Sequence, residues 1–283
     1  MENIRIMSQN LLGSDTEYPT HAKNPKFADR IKVNLDEHTM EKRLPRVIKL
    51  IEKYAPDSLG VQECCTTWRK LFANGSLDSI GYVRLGATKH PKSSIIYNAK
   101  KLEVIESESI WLTEKPEELS LSVEWRESPD DPLIERLAMY AVFEIRESGE
   151  RYIHVNTHID LPRNSIIQPK QTELLLSYIE KIRRKHNGLP AVLTGDFNFN
   201  PTSPAYDIIK SSDVVRDTRS ECNVSGCISS FNKFIGPDYA PLPIDYVFGT
   251  KDLVFRDQKV IYDTFDGNFV SDHYAVCADF TLN

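Results

Sequence analysis

The chain has 283 residues, of which 40% are hydrophobic, and its formal net charge at pH 7 is −6. We expect one domain over residues 1–283 and a monomer. The negative charge argues against a surface for sequence-independent binding of nucleic acid, because such surfaces need many Lys and Arg side chains near phosphates. No apolar run approaches the ~18 residues of a membrane span, and the first residues lack the pattern of an export signal. With five cysteines, an odd number that argues against a disulfide framework, these features predict a cytoplasmic protein.

Hydrophobic periodicity predicts two helices, one short further helix and nine strands. Apolar residues spaced three and four apart predict helices over Arg43–Tyr54 and Gln168–His186, and a short helix is expected after Thr66. The predicted strands are Ile4–Asn10, Ser58–Gln62, Ser94–Tyr97, Val104–Trp111, Met139–Ile145, Tyr152–His158, Ala191–Asp196, Asp245–Phe248 and Ala275–Phe280. The strands at 139–145 and 152–158 flank a Ser-Gly pair, which is typical of an antiparallel hairpin. The pattern predicts a sheet-rich α/β protein.

Polar side chains stand where several of these strands end. In LTGDFNFNP, Asp196 and Asn198 lie two residues apart and therefore project to the same side of an extended chain. A single polar residue at a strand end is more often a turn former or a helix cap than a catalyst. Other predicted strands show the same feature, in Asn10, Gln62, Glu63, Asn156, His158, Asp160, Asp245, Asp272 and His273. Their number in one chain favours a shared functional site.

These side chains also predict the kind of cofactor. They supply oxygen donors from Asn10, Glu63 and Asp272, two imidazoles from His158 and His273, and two further carboxylates from Asp196 and Asp245. Hard oxygen ligands are those that Mg²⁺ and Mn²⁺ prefer, and such ions keep waters and sites for a phosphate. The set therefore predicts Mg²⁺ or Mn²⁺ and metal-assisted attack of water on phosphorus.

Six short motifs occur in the order SQN, VQE, NTHID, GDFN, IDYVF and SDH between residues 8 and 273. In this order they resemble the endonuclease/exonuclease/phosphatase family of Mg²⁺-dependent phosphoesterases, which includes DNase I-like nucleases, deadenylases and neutral sphingomyelinases. The resemblance implies a four-layer sandwich of two packed, mostly antiparallel sheets flanked by helices. It also implies a hydrolase that cleaves a phosphodiester, of nucleic acid or of a small molecule, by attack of activated water.

The resemblance implies roles for individual residues. Glu63 would bind the metal directly, and Asn10 and Asp272 would help to hold it or its waters. Asp196 would accept a proton from the attacking water or orient it, and Asn198 would bind the phosphate of the substrate.

It also implies roles for three residues around the phosphate. His158 would donate to a phosphate oxygen, and His273 would lie against Asp245, which would fix its tautomer. Whether Asp196 or the His273–Asp245 pair is the general base stays open at this point.

Parts of the chain depart from the relatives. Leu11 and Leu12 follow the first motif where an AP endonuclease carries an acidic residue, which disfavours that branch. The relatives usually have an arginine at the start of the helix after NTHID, whereas this chain has SIIQPKQ, so phosphate contacts from Arg163 or Lys170 stay open. Arg136, before AMYAVFE, resembles the compact bacterial members.

Several substrate classes compete. Nucleic acid, a phospholipid headgroup and a small phosphate ester, including a monoester, fit the motifs. The motifs also fit a non-catalytic binding member of the family, and the polar strand ends without the motifs fit an unrelated binding β-sandwich. Aromatic platforms for single-stranded nucleic acid could come from Phe197, Phe199, Trp111 and Trp125, although aromatics near strand ends are more often core.

Residues 13–42 form a long polar segment that leaves the predicted site directly after Asn10. Long irregular segments inside a compact domain are often functional. We expect this segment to be a rim or lid over the substrate, with Lys23, Lys26, Arg30 and Lys32 as candidate contacts. A solvated insertion far from the ligand would have the same composition.

Overall fold

The computed structural model describes residues 3–13, 35–86, 92–118, 120–131, 134–236 and 239–282, which contain thirteen strands and four α-helices. The strands are β1 (Ile4–Asn10), β2 (Ser58–Gln62), β3 (Tyr82–Gly86), β4 (Ser94–Asn98), β5 (Leu102–Trp111), β6 (Leu137–Ile145), β7 (Arg151–His158), β8 (Ala191–Asp196), β9 (Arg216–Asp217), β10 (Asn223–Gly226), β11 (Asp245–Gly249), β12 (Leu253–Ile261) and β13 (Ala275–Leu282). The helices are α1 (Met40–Tyr54), α2 (Thr66–Leu71), α3 (Ile167–Lys185) and α4 (Pro204–Ser211).

The strands form two mixed sheets. One has seven strands in the order β10-β12-β13-β1-β2-β4-β3, and the other has six in the order β5-β6-β7-β8-β11-β9. Three neighbouring pairs in the described chain, β1–β2, β10–β12 and β7–β8, are parallel, and the remaining pairs are antiparallel. The predicted fold of mostly antiparallel sheets is therefore confirmed.

The apolar side chains pack in three layers. Phe143 of the six-stranded sheet and Phe280 of the seven-stranded sheet belong to the layer between the sheets. Val47 of α1 belongs to the layer that covers the outer face of the seven-stranded sheet, and Leu175 of α3 to the layer that covers the six-stranded sheet. This burial on both faces of each sheet gives the predicted order of helix, sheet, sheet and helix. In the described part of the chain no helix is both long and apolar enough to cross a membrane.

The predicted helices and the predicted hairpin are present. The first helix begins at Met40, one turn before the expected start, because the Thr39 side chain accepts a hydrogen bond from the N–H of Lys42 at 3.4 Å and caps it. It ends where Ala55 adopts a left-handed conformation, with φ of 44°. Strands β6 and β7 pair antiparallel from Ala138 opposite Thr157 onwards.

Four strands and one helix escaped the sequence analysis. Strand β12, LVFRDQKVI, has polar residues at 256–259, and a bulge between Phe255 and Asp257 shifts its register, so the alternation that predicts a strand is broken. Strand β3 has an irregular mix of half-buried side chains, and β9 and β10 are only two and four residues long. Helix α4 has eight residues, capped by Ser203. Such short elements carry too few residues for a clear period.

Candidate active site

The ends of three adjacent strands of the six-stranded sheet align their polar residues in one row. His158 on β7 lies opposite Asp196 on β8, which in turn lies opposite Asp245 on β11. The register of the sheet therefore places one imidazole and two carboxylates on neighbouring strands, which are spaced by ~4.8 Å.

The other half of the site comes from the seven-stranded sheet. Strands β1 and β2 are parallel, with Asn10 opposite Gln62, so Glu63 follows β2 beside the end of β1. The Asn10 side-chain amide donates to Glu63 Oε1 at 3.2 Å and to Asp196 Oδ2 at 2.9 Å. Its oxygen accepts the N–H of Leu12 at 2.8 Å. Asn10 therefore joins the two sheets and orients two carboxylates.

The backbone around Glu63 is constrained. Leu12, Glu63 and Asn198 all have positive φ, at 48°, 55° and 50°, which is uncommon for residues other than glycine and tends to occur at functional sites. The N–H of Gly13 donates to Glu63 Oε2 at 3.0 Å, and a Cβ at Gly13 would overlap the backbone oxygen of Glu63. Only glycine at position 13 allows the chain to approach this carboxylate so closely.

Arg43 of α1 stabilises the turn that follows β1. Its fully buried guanidinium donates to the carbonyl oxygens of Leu11 and Leu12 from the body of α1. In the sequence, Arg43 marks only the expected start of a helix. Its role as a support for the loop depends on the packing of α1 against the end of β1, which no local pattern shows.

His273 lies between two carboxylates. Its Nδ1 is 2.9 Å from Asp245 Oδ2, and its Nε2 is 3.8 Å from Asp196 Oδ2. Burial alone would lower the pKa of His273, but the negative charges of Asp245 and Asp196 outweigh burial and hold this pKa well above its ordinary value. The imidazole is therefore oriented by Asp245 and is held in its charged form.

Asp196 is the most perturbed carboxylate of the site. Burial and the like charge of Asp245 raise its pKa to about 7, although His273 and the hydrogen bond from Asn10 act in the opposite direction. Its Oδ1 also accepts the N–H of Asn198 at 2.9 Å. This carboxylate is the one that both histidines approach, since His158 Nε2 lies 3.4 Å from its Oδ2.

His158 is neutral in this arrangement. Burial, followed by the positive charges of Arg136 and His273, lowers the pKa of His158 well below its ordinary value. The side-chain amide of Asn198 donates to the carbonyl oxygen of Ile159 at 3.0 Å, which fixes its orientation and places Nδ2 3.0 Å from His158 Nε2. His158 Nε2 therefore accepts from Asn198, and donating to a phosphate from this atom would require the tautomer that carries the proton on Nε2.

A cavity of about 660 Å³ opens over these residues. Six of the eight predicted site residues line it, namely Glu63, His158, Asp196, Asn198, Asp272 and His273. The other two, Asn10 and Asp245, lie directly behind the lining and contact Asp196 and His273. The structure thus brings all eight residues to one place.

Two groups of side chains could hold a cation. Asp196, Asp245 and His273 have ligand atoms within 4.8 Å of one another, the one such cluster of three among the described residues. The positive charge of His273 already balances the carboxylates in that cluster. Glu63 and Asp272 form the second group; burial raises the pKa of Asp272, and so does the charge of Glu63, against the opposing effects of His273 and Arg43. We consider this second group the better cation site because its oxygen donors repel one another and line the cavity.

The basic residues proposed from sequence lie in different places. Arg163 pairs with Asp160 and Lys170 pairs with Glu173, and neither of the two lines the cavity. Lys23, Lys26, Arg30 and Lys32 lie outside the described residues, so the lid over residues 13–42 stays a prediction. Gln168, in the segment SIIQPKQ at the start of α3, donates to the carbonyl oxygens of Asp160 and Asn198 at 2.7 and 3.0 Å.

Two cations that line the cavity were not assigned to the site from sequence, namely Lys92 and Arg136. Arg136 directly precedes β6 and was noted only for its similarity to bacterial relatives. Its place in the cavity could have been inferred from its position just before β6, because β6 pairs with β7, the strand that ends in His158. Three of the four aromatic residues considered as stacking platforms, Trp111, Phe197 and Phe199, are at most 3% exposed and belong to the core.

The sequence matches the model of the Endonuclease/Exonuclease/phosphatase family over residues 7–273. Among curated proteins it is similar to protein angel homolog 2 of Danio rerio, with 25% identity over 231 residues, which cover 79% of this chain and 37% of that protein. The chain thus spans well under half the length of this relative.

Solved structures show the same fold. A Bacteroides thetaiotaomicron protein of the endonuclease/exonuclease/phosphatase family has a TM-score of 0.80 and 21% identity, covering 100% of this chain and 98% of that one. A mannosyl-6-phosphatase of the same organism also has a TM-score of 0.80, with 22% identity and coverage of 99% and 100%. Both similarities extend over the complete fold.

Proposed function

The chain belongs to the endonuclease/exonuclease/phosphatase family, whose members are hydrolases of phosphoester bonds, and on this premise we propose that it is a divalent-metal-dependent phosphoesterase that cleaves a small phosphodiester by attack of an activated water. One observation carries the proposal. Side chains from both sheets converge on one cavity, and each position that the chemistry needs holds a competent residue. A non-catalytic binding member would be expected to have lost some of them.

The donor set fits Mg²⁺ or Mn²⁺. Glu63 and Asp272 offer carboxylate oxygens at the cavity, and Asn10 orients the Glu63 carboxylate. An all-oxygen set without cysteine is the kind that these hard ions prefer. When bound, such an ion supplies positive charge that stabilises the developing charge on the phosphate oxygens.

We assign the attacking water to Asp196. Hydrogen bonds from Asn10 and from the N–H of Asn198 fix both oxygens of this carboxylate, and both histidines approach it. A carboxylate held in this way can orient a water and accept its proton. His273, oriented by Asp245, then supplies positive charge next to the reacting phosphate.

We assign Asn198 and His158 to the substrate phosphate. The Asn198 amide is held by Ile159 and turned toward His158, and both side chains line the cavity. A phosphate oxygen could replace the contact between Asn198 Nδ2 and His158 Nε2 and accept a hydrogen bond from the Asn198 amide. It would also receive the imidazole N–H from the neutral tautomer of His158 that carries the proton on Nε2.

The cavity favours a compact ester over a polymer. Among the described residues, its lining contains one aromatic residue besides the two histidines, namely Phe231, whose ring packs against His273 with centroids 4.8 Å apart. Binding of single-stranded nucleic acid usually relies on several stacked aromatic platforms. The similarity to a mannosyl-6-phosphatase favours a phosphomonoester as the second candidate substrate.

An assay with Mg²⁺ and Mn²⁺ over a panel of soluble phosphodiesters, phosphomonoesters, headgroup esters and single-stranded DNA tests the proposal. We expect hydrolysis of a small ester that stops with EDTA and is absent from the Asp196→Ala protein. Glu63→Gln should lower metal affinity and kcat together, because it removes one charged oxygen ligand while keeping the shape. Full activity of Glu63→Gln in metal-free buffer would refute the mechanism.

A further inference from the structure

Arg136 lines the cavity from a position two strands away from β8, which ends in Asp196. It directly precedes β6, and β7 separates β6 from β8, the strand that ends in Asp196. Two strand spacings amount to ~10 Å. Arg136 thus reaches the cavity from a different strand than Asp196.

A buried carboxylate holds this guanidinium. Asp160 is fully buried, and its Oδ1 is 3.3 Å from both Arg136 Nη2 and Arg163 Nε. The N–H of Leu161 donates to the same oxygen at 2.8 Å. One carboxylate therefore faces two arginines and cannot neutralise both of them.

The pairing leaves donors of Arg136 available. Its contact with Asp160 is single and long rather than a bidentate pair, and its Nε is buried with no hydrogen-bond partner among the described residues. The side chain is 11% exposed and lines the cavity. The exposed part of the guanidinium can therefore donate to an anion in the cavity, and a hydrogen bond to a charged group adds affinity.

A second cation lies on the same cavity. Lys92 lines it, and both Lys92 and Arg136 act electrostatically on His158. The carboxylate of Glu135 is the one acid next to Arg136 in the lining. The acidic group formed by Glu63 and Asp272 belongs to the other sheet, so the cavity offers separate places for a metal and for an anion.

We propose that Arg136, positioned by Asp160 and assisted by Lys92, forms a second anion subsite, and that the preferred substrate carries a carboxylate or a second phosphate next to the phosphate that is cleaved. The inference rests on the proposed function and specifies its substrate class. Asn198, His158 and His273 already serve the scissile phosphate, and a cavity of about 660 Å³ has room for a larger ester.

Matched chromogenic diesters test the subsite. We would compare 4-nitrophenyl phenyl phosphate with two analogues that carry a carboxylate or a phosphonate on the phenyl ring, because all three release the same leaving group. With Mg²⁺, at least one anionic analogue should have a kcat/KM at least ~10-fold higher, as a hydrogen bond to a charged group is worth ~1.5–3 kcal/mol. The ratio of the two analogues distinguishes a carboxylate from a phosphate ligand.

Arg136→Gln should abolish this preference by lowering kcat/KM for the anionic diester more than for the plain diester, and Arg136→Lys should retain part of it. Arg163→Gln is the matched control, because Arg163 shares Asp160 but does not line the cavity. Asp160 is a positioning residue, so Asp160→Asn should raise KM for the anionic ester with little change in kcat.

Two results would overturn the subsite. One is an equal loss for all three diesters in Arg136→Gln, which would place Arg136 on the scissile phosphate, and the other is the absence of any preference in the wild type. Calorimetry of the same esters with the Asp196→Asn protein separates this inference from the proposed function. The anionic ester could bind more tightly than the plain one, Arg136→Gln could remove this difference, and no protein, wild type included, could turn the esters over. That result would support the subsite and refute the proposed phosphoesterase activity. Hydrolysis of all three diesters with the same kcat/KM would support the phosphoesterase activity and refute the subsite.

Discussion

Two polar clusters lie on the same strands of this protein, and they differ in charge. Two residues before His158 and Asp196, the side chains of Asn156 and Thr194 point into the space between the sheets, since alternate residues share a face. The neutral column consists of Ser8, Ser58, Gln62, Tyr152, His154, Asn156 and Thr194, all at most 1% exposed. It lies directly beneath the charged site, in the middle of an apolar layer.

The column is paired almost throughout, and among the described residues Gln62 Oε1 is its one buried side-chain atom without a hydrogen-bond partner. His154 lies 2.8 Å from Ser58 Oγ through Nδ1 and 2.8 Å from Thr194 Oγ1 through Nε2. Asn156 accepts from Gln62 at 2.7 Å and donates to two backbone carbonyls at 3.0 Å. Buried neutral groups that are paired in this way rigidify the fold.

The site, in contrast, holds charges that protein partners do not fully match. Asp245 Oδ1 has no hydrogen-bond partner among the described residues, and Glu63 faces Asp272 with the same charge. Groups held in this state are costly for stability and available for a ligand. Buried polar groups therefore stabilise the fold in the column, whereas at the site they are held for chemistry.

The largest expected effect is on the site. Asp196→Asn should lower kcat by ~10²–10⁴-fold, because the variant cannot accept a proton from water. Its melting temperature should stay the same or rise, since the repulsion between Asp196 and Asp245 disappears. Steady-state kinetics with Mg²⁺ and thermal melting of the same samples measure both. A kcat within tenfold of the wild type would contradict the assigned role.

The second effect concerns cooperation within the site. His273→Ala alone should cost at least ~10²-fold in kcat, and the double variant with Asp196→Asn should lose less than the product of the two single losses. Both residues act on the same water and phosphate, so removing one disables the other. Strictly multiplicative losses would show that they serve separate steps.

The third effect concerns the column. A Cβ at Gly60 would overlap Thr194 Oγ1 and the side chain of Asn156. Gly60→Ala should therefore destabilise the fold by ~1–3 kcal/mol, as overpacking does, while kcat of the folded protein changes little. Urea unfolding and kinetics of the same preparation test this opposite pattern. In the control, Gly60→Ala combined with Thr194→Ala should lose less than the sum of the single losses, because part of the overlap is removed.

The smallest effect is the pH dependence of stability. Burial lowers the pKa of His154 to about 3, whereas an unfolded histidine titrates near ~6.5. Between these values the unfolded chain binds more protons, so the free energy of unfolding falls as pH decreases below ~6.5, by up to ~1.4 kcal/mol per pH unit from this residue. Urea unfolding at pH 7.5 and pH 5.5 should give a shallower dependence for His154→Gln. An identical slope would show that the buried imidazole is not held neutral.

His38 contributes to the same pH dependence from outside the column. Burial, followed by the charges of Arg46 and Arg43, lowers its pKa to about 4. Some loss of stability on acidification should therefore remain in His154→Gln. His38→Gln combined with His154→Gln should flatten the dependence further.

The positions of most strands, and the polar residues that end them, can be predicted from local sequence. Strands β1, β2 and β8 have the predicted bounds, because each is a short, regular run that a polar residue closes. The elements that escaped were those whose period is interrupted, such as β12 with its bulge, or too short, such as β9.

Which of these polar residues share one site depends on the tertiary structure. Asn10 meets Asp196 across 186 positions of sequence, and His273, just before β13, meets Asp245 at the start of β11. Local sequence encodes the period of an element and the chemistry of a side chain, but not the register between strands that are far apart. Arg136 and Arg163 look alike in the sequence, and the folded sheets alone place one of them in the cavity and the other outside it.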